Sequence, residues 1–146
     1  MQVTVKAFDE LTTKELYQIL RLRSAVFVVE QDCVYQDVDN RDQKALHVIG
    51  KKGGEIVAYT RIFKPGDYFE NVSIGRVVVS QDQRKYGLGK QIMQASLAAI
   101  EQKFTNKPIE ISAQSYLLKF YTELGFNAFG EEYLEDGIPH MRMLKK

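Results

Sequence analysis

The stretch Ile74-Gly75-Arg76-Val77-Val78-Val79-Ser80-Gln81-Asp82-Gln83-Arg84-Lys85-Tyr86-Gly87-Leu88-Gly89 decides the fold. Val77-Val78-Val79 is continuously β-branched, the pattern of a strand covered on both faces, and it predicts a strand over Val72–Val79. A polar turn follows over residues 80–86. From Gly87 the apolar period becomes helical. Leu88, Ile92, Ala95 and Ala99 fall on one stripe, with Met93, Leu97, Ile100 and Phe104 beside it, so a helix is expected to about Phe104. Past Asn106-Lys107-Pro108, residues 109–113 read as a second strand. Strand, helix and strand in succession require a parallel pair with a right-handed crossover.

Working outward, residues 2–8 alternate like a strand. Thr12-Thr13-Lys14-Glu15 has the spacing of a capping box. Leu16, Ile19, Leu20, Arg23 and Phe27 continue that helix to about Val28. Residues 30–42 are polar and irregular. Two strands, 46–51 and 55–63, flank the hairpin signal Gly53-Gly54. A helix over 115–124 should stop at Gly125, and two closing strands, 126–133 and 138–144, turn around Glu135-Asp136-Gly137. The expected fold is an α/β sandwich with a mixed sheet, built as a single domain over residues 1–146.

Composition agrees with that reading. The chain has 146 residues, 45% hydrophobic and 27% charged, with 20 Lys plus Arg against 19 Asp plus Glu. This balance gives no reason to expect nucleic acid or an anionic membrane as partner. The single cysteine, Cys33, excludes an internal disulfide and a cysteine-based zinc site. His47 and His140 are far apart and no H-x-x-x-H occurs, so no metal is expected. Residues 1–6 lack a signal sequence and no run reaches membrane-spanning length, which makes the cytoplasm the natural compartment. A homodimer is compatible with the sequence.

Residues 84–89 read R-x-x-G-x-G at a strand-to-helix junction. Free N–H groups at a helix start suit a diphosphate, and glycine at 87 and 89 lets its oxygens approach the main chain. Arg84, Lys85 and Lys90 add positive charge, and no acid occurs between Asp82 and Glu101. The plain alternative is a tight turn with solvated charges. The nucleotide-hydrolase loop G-x-x-x-x-G-K-[ST] is absent, and Arg84 stands where a dinucleotide fold has its first glycine.

These pieces, with Phe120-Tyr121-x-x-x-Gly125-Phe126, resemble the GNAT superfamily of N-acetyltransferases. Phe27-Val28-Val29-Glu30-Gln31, Tyr35-Gln36-Asp37-Val38-Asp39, Ile74-Gly75-Arg76-Val77-Val78-Val79 and Glu135-Asp136-Gly137-Ile138-Pro139-His140 resemble its ElaA-like branch. The resemblance implies a mostly antiparallel sheet whose central parallel strands splay near a bulge, with flanking helices. It implies acetyl-CoA as acetyl donor, its pantetheine along Val77, Val78 and Val79 and its diphosphate on Arg84, Lys85, Tyr86, Gly87, Leu88, Gly89 and Lys90. A primary amine, on a small molecule or a peptide, would attack the thioester directly, with a main-chain N–H near Val78 stabilising the oxyanion. A non-catalytic CoA-binding sensor or interaction module is the alternative.

Tyr121 matches the family tyrosine that protonates the leaving sulfur; its plain reading is a core aromatic. For the general base, His140 has a suitable intrinsic pKa, with Glu30 and Glu132 as carboxylate alternatives. Glu30, Asp32, Asp37, Asp39 and Asp42, with only Arg41 among them, form one acidic group; Glu131, Glu132, Glu135 and Asp136 form a second. They either draw a cationic amine to the cleft or are solvated loops. Cys33 has no activating base beside it in sequence, and His47 reads as a packed core histidine. Tyr17, Tyr35 and Phe63 are candidates to line an acceptor pocket.

Overall fold

Thr12 opens the first helix of the computed structural model, which describes residues 1–146. Its Oγ1 accepts Glu15 N–H at 3.0 Å and Glu15 Oε1 accepts Thr12 N–H at 2.9 Å, closing the capping box. That backbone bond, reinforced by Lys6 and Lys51, brings the Glu15 carboxyl down to about 2. Its stabilisation is therefore present above the ordinary glutamate range and is lost as pH falls towards 2. Thr12→Ala is expected to lower the unfolding free energy by about 1 kcal/mol in urea denaturation.

Helix α1 spans Thr13–Arg23. It then widens into a π-helical segment, Ser24–Glu30, with Gln31 N–H bonding Val26 O at 3.1 Å and Cys33 N–H bonding Val28 O at 3.0 Å. The helix was expected to continue regularly to about Val28. The run Val26-Phe27-Val28-Val29 holds three β-branched residues, whose χ1 freedom a regular α-helical turn restricts.

The sheet comprises β1 (Gln2–Ala7), β2 (Leu46–Lys52), β3 (Glu55–Phe63), β4 (Val72–Val79), β5 (Ile109–Gln114), β6 (Asn127–Glu135) and β7 (Ile138–Lys145). Their spatial order is β1-β2-β3-β4-β5-β7-β6. All neighbours are antiparallel except β4 and β5, joined through α2 (Leu88–Lys103). Both predicted hairpin turns use positive φ, 59° and 82° at Gly53 and Gly54, and 51° and 78° at Asp136 and Gly137.

On one face, Ile92, Met93 and Ile100 of α2 and Tyr121 of α3 (Leu118–Glu123) pack on Ile62, Ile74, Ile109, Ile111, Ala113 and Met143. On the other, Ile19, Leu22 and Val26 cover Ile49, Tyr59 and Val78. Strand alternation settles the rest. Because Ile109, Ile111 and Ala113 face α2, Glu110, Ser112 and Gln114 point the opposite way, and the β5–β7 register puts Arg142 and His140 beside the last two. This half of the second face is polar.

Two irregularities shape the centre. Strands β4 and β5 pair only at Val72–Ile109 and Ser73–Glu110, then diverge. Opposite β3, Tyr59 pairs with Val78 and Arg61 with Gly75, so β4 carries one extra residue. Arg76 lies in that bulge with φ +50°, a conformation that costs a side-chain-bearing residue energy. In β6 a larger bulge, with Gly130 at φ +74°, separates Phe129–Arg142 pairing from Tyr133–His140 pairing.

Candidate active site

The divergence of β4 and β5 opens a cleft of about 640 Å³. Gly87, at φ +68°, redirects the chain into α2, and no side chain caps the helix start. The first backbone bond into the helix is Gln91 N–H to Gly87 O at 3.2 Å, so the preceding amides remain available. Val77, Val78, Val79, Arg84, Gly87, Gly89 and Lys90 line the cleft, whereas Lys85, Tyr86 and Leu88 do not. Leu88 is buried in the core, and Tyr86 lies under the Lys52 ammonium at 4.3 Å.

Arg84 departs from the expectation of free positive charge. Its Nη1 and Nη2 donate to Glu30 at 2.5 and 2.7 Å, and its Nε and Nη2 also reach Val79 O at 3.3 and 3.2 Å. The acid-free window at residues 83–100 is answered by a carboxylate from the end of the π-helical segment. The Arg84 hydrogen bonds hold Glu30 below the usual glutamate range. A carboxylate so held is a poor proton acceptor at neutral pH.

Tyr121 lines the cleft from α3, 5% exposed and edge-on to Phe120 and Phe126. Burial, with the nearby Tyr116, raises its phenol well above the ordinary value, so it is protonated at neutral pH. His140 faces the cleft from β7. Its Nδ1 lies 2.7 Å from Ile138 O, a carbonyl that can only accept, so Nδ1 carries the proton and Nε2 has the free lone pair in the neutral ring. Nε2 lies 3.3 Å from Glu135 Oε2. Ser112 Oγ bonds Tyr133 OH and reaches Glu135 Oε1 at 3.4 Å. Burial raises the Tyr133 phenol. Glu132 lies exposed on the β6 bulge, away from the cleft.

In the first acidic group Glu30 lines the cleft and Asp32 is exposed, but Asp37, Asp39 and Asp42 fit neither reading, because arginines neutralise them inside the protein. Arg23 Nε contacts Asp37 Oδ2 at 3.0 Å and its Nη1 contacts Asp42 Oδ1 at 2.8 Å. Arg61 binds Asp39 at 2.7 Å and Asp42 at 2.9 Å, and Arg76 Nε lies 2.8 Å from Asp37 Oδ1. The cations come from α1, β3 and the β4 bulge, remote in sequence. Burial alone would raise the Asp39 carboxyl, but the Arg61 hydrogen bond and the charges of Arg61 and Arg76 take it down to about 2. In the second group only Glu135 and Asp136 reach the cleft.

The remaining candidates sort by position. Tyr35 and Phe63 line the cleft, while Tyr17 is 73% exposed on α1, away from it. Cys33 Sγ donates to Asp136 O at 3.3 Å, tying the segment after the π turn to the β6–β7 hairpin. His47 is fully buried between Tyr59 OH at 2.6 Å and Asp42 O at 2.9 Å, and burial lowers its pKa. Gln31 and Gln114, which no motif singles out, pair across the cleft at 3.4 Å. No group of three or more His, Cys, Asp or Glu side chains is placed to hold a metal, and no helix is long and apolar enough to cross a membrane.

Comparison with known proteins gives the family. Protein ElaA of Escherichia coli is 45% identical over 140 residues, spanning 94% of this chain and 92% of its own. Its crystal structure superposes with a TM-score of 0.93 over 100% of both chains. An acyl-CoA N-acyltransferase from Pseudomonas aeruginosa, 42% identical, superposes at 0.94 over 100% of both chains. The sequence profile of the acetyltransferase (GNAT) domain matches residues 9–146. On these grounds the chain belongs to the GNAT family, in its ElaA-like branch, and is an acyltransferase.

Proposed function

We propose that the chain transfers the acetyl group of acetyl-CoA to a primary amine by direct attack on the thioester. One observation carries the reading: an uncapped helix start and the gap between β4 and β5 open into the same cleft, beside a buried tyrosine. The α2 amides take the diphosphate, helped by Lys90 and by Arg84 once it exchanges Glu30 for phosphate oxygens. The pantetheine runs along the unpaired edge of β4 at Val77–79, as an added strand would. The thioester then lies in the splay, where a β4 N–H near Val78 stabilises the oxyanion.

His140 Nε2 takes the proton from the acceptor ammonium, with Glu135 Oε2 3.3 Å from that nitrogen. Glu30, paired with Arg84, is left out of that role. The amine lone pair attacks the carbonyl, the C–S bond breaks, and Tyr121 OH protonates the departing sulfur. The second proton lost by the acceptor nitrogen returns through solvent to the Tyr121 phenolate. This order needs no acyl-enzyme, in keeping with Cys33 being tied to Asp136 O.

Thiol release from acetyl-CoA should therefore depend on an added amine, followed with a thiol reagent. Arg84→Ala should weaken acetyl-CoA binding by about tenfold in calorimetry, the effect of one charge-assisted contact. Tight binding of acetyl-CoA with no transfer to any of a broad panel of amines would defeat the proposal.

A further inference from the structure

Beside the main cleft lies a second, shallower cavity of about 480 Å³, lined by Arg41, Tyr68, Phe69, Tyr133, Glu135 and Arg142. It shares Tyr68, Phe69 and Glu135 with the cleft, so the two adjoin. The other arginines in this region, Arg23, Arg61 and Arg76, are committed to Asp37, Asp39 and Asp42. Arg41 makes none of those ion pairs and instead lies over the Tyr68 ring at 5.0 Å. Arg142 gives both Nε and Nη2 to Glu110 Oε2, at 2.8 and 2.6 Å, which leaves Nη1 uncommitted on a side chain 50% exposed. Its guanidinium also lies 4.9 Å from the Phe129 ring.

Two guanidinium groups with unused donors, floored by aromatic rings, suit a carboxylate that the fork can grip in plane. The adjoining end of the cleft has the opposite character. Glu135 and the Asp136 carbonyl side of the hairpin border His140, where the acceptor nitrogen has to arrive. Glu135 lines both spaces and stands at their boundary. His140 lies on one side and the uncommitted donors of Arg41 and Arg142 on the other, an arrangement that complements a dipolar molecule. His140 and Arg142 are two residues apart on one face of β7, a spacing of roughly 7 Å. An amine and a carboxylate separated by about four to six methylene or backbone units span that distance.

We propose that the acceptor is a small amino carboxylate, its amine at His140 and Glu135 and its carboxylate at Arg41 and Arg142. This rests on the acyl-transfer reading above for turnover, but not for binding. Arg41 and Arg142 act as specificity-determining residues, and Glu110 holds Arg142 in place from a buried position.

The test measures thiol release and, separately, calorimetric binding in the presence of CoA. The ligands are straight-chain ω-amino carboxylates, the matching amino alcohols, and a lysine-containing peptide. The carboxylates should show KM and Kd values about tenfold below those of the alcohols, as one charge-assisted pair gives. Arg41→Gln, an exposed change that leaves the core untouched, should shrink that ratio to within about threefold. Arg142→Gln should do the same, with its fold checked by circular dichroism because Glu110 loses its partner. Equal values for carboxylates and alcohols, an unchanged ratio in Arg41→Gln, or the peptide outcompeting every free amino carboxylate would overturn the assignment. Carboxylate-selective, Arg41-dependent binding without any thiol release would uphold the subsite and remove the transfer reaction instead.

Discussion

Tyr121→Phe should lower kcat by about 100-fold or more, the usual contribution of a positioned proton donor, while leaving the Kd for acetyl-CoA nearly unchanged. The phenol is held protonated by burial. The same burial weakens it as an acid, so it cannot protonate a solvated thiolate efficiently. In the closed cleft the developing sulfur anion is desolvated too, and its proton affinity rises with that of the phenolate, which keeps the two matched. Removing one oxygen at a site packed by Phe120 and Phe126 costs little packing, so the loss should fall on turnover alone. Pre-steady-state thiol release with a saturating amine, set beside calorimetric binding, separates the effects. An unaltered kcat would return Tyr121 to the core as an ordinary aromatic.

The largest stability effect is expected at Arg23. Its side chain is fully buried, donates to Asp37 and Asp42, and gives Nη2 to Asp37 O at 2.9 Å. Arg23→Ala strips two buried carboxylates of one partner each, and breaking a buried pair from one side costs about 3–5 kcal/mol. Arg61 and Arg76 still hold Asp42 and Asp37, which places the expected loss near the lower figure. Lysine should not rescue it, because one ammonium cannot replace three forked donors. Urea unfolding followed by circular dichroism measures the difference; a loss under 1 kcal/mol, an ordinary surface effect, would show the network to be redundant.

The network also fixes a direction with pH. Burial opposes ionisation of Asp39 and Asp42, but their arginine partners outweigh it and both carboxyls are depressed, Asp39 to about 2. Groups depressed on folding add stability above their unfolded values, and that stability is lost as pH falls through the folded ones. The contribution should be complete above about pH 4 and should decay towards pH 2.

Much of the fold was legible because its signals are local. The β-branched run before residue 80, the helical stripes after Gly87, the Thr12–Glu15 capping pair and the Gly53-Gly54 turn each act within a few residues. Short-range sterics and hydrogen bonds read such signals directly. The crossover rule then made β4 and β5 parallel, and the resemblance added their splay. The π turn at Ser24–Glu30 was missed, since the apolar spacing of that segment fits a regular α-helix equally well.

The sequence alone determined the strand–turn–helix that presents free amides to a cleft, since strand pattern, glycine placement and helix period are properties of consecutive residues. Tertiary structure alone decided the charges around it. Asp37, Asp39 and Asp42 look like an acidic loop until Arg23, Arg61 and Arg76 arrive from three other elements. Arg84 looks free until Glu30 reaches it from 54 residues away. Ionic contacts form wherever folding brings opposite charges within a few ångströms, and chain order carries no record of that distance.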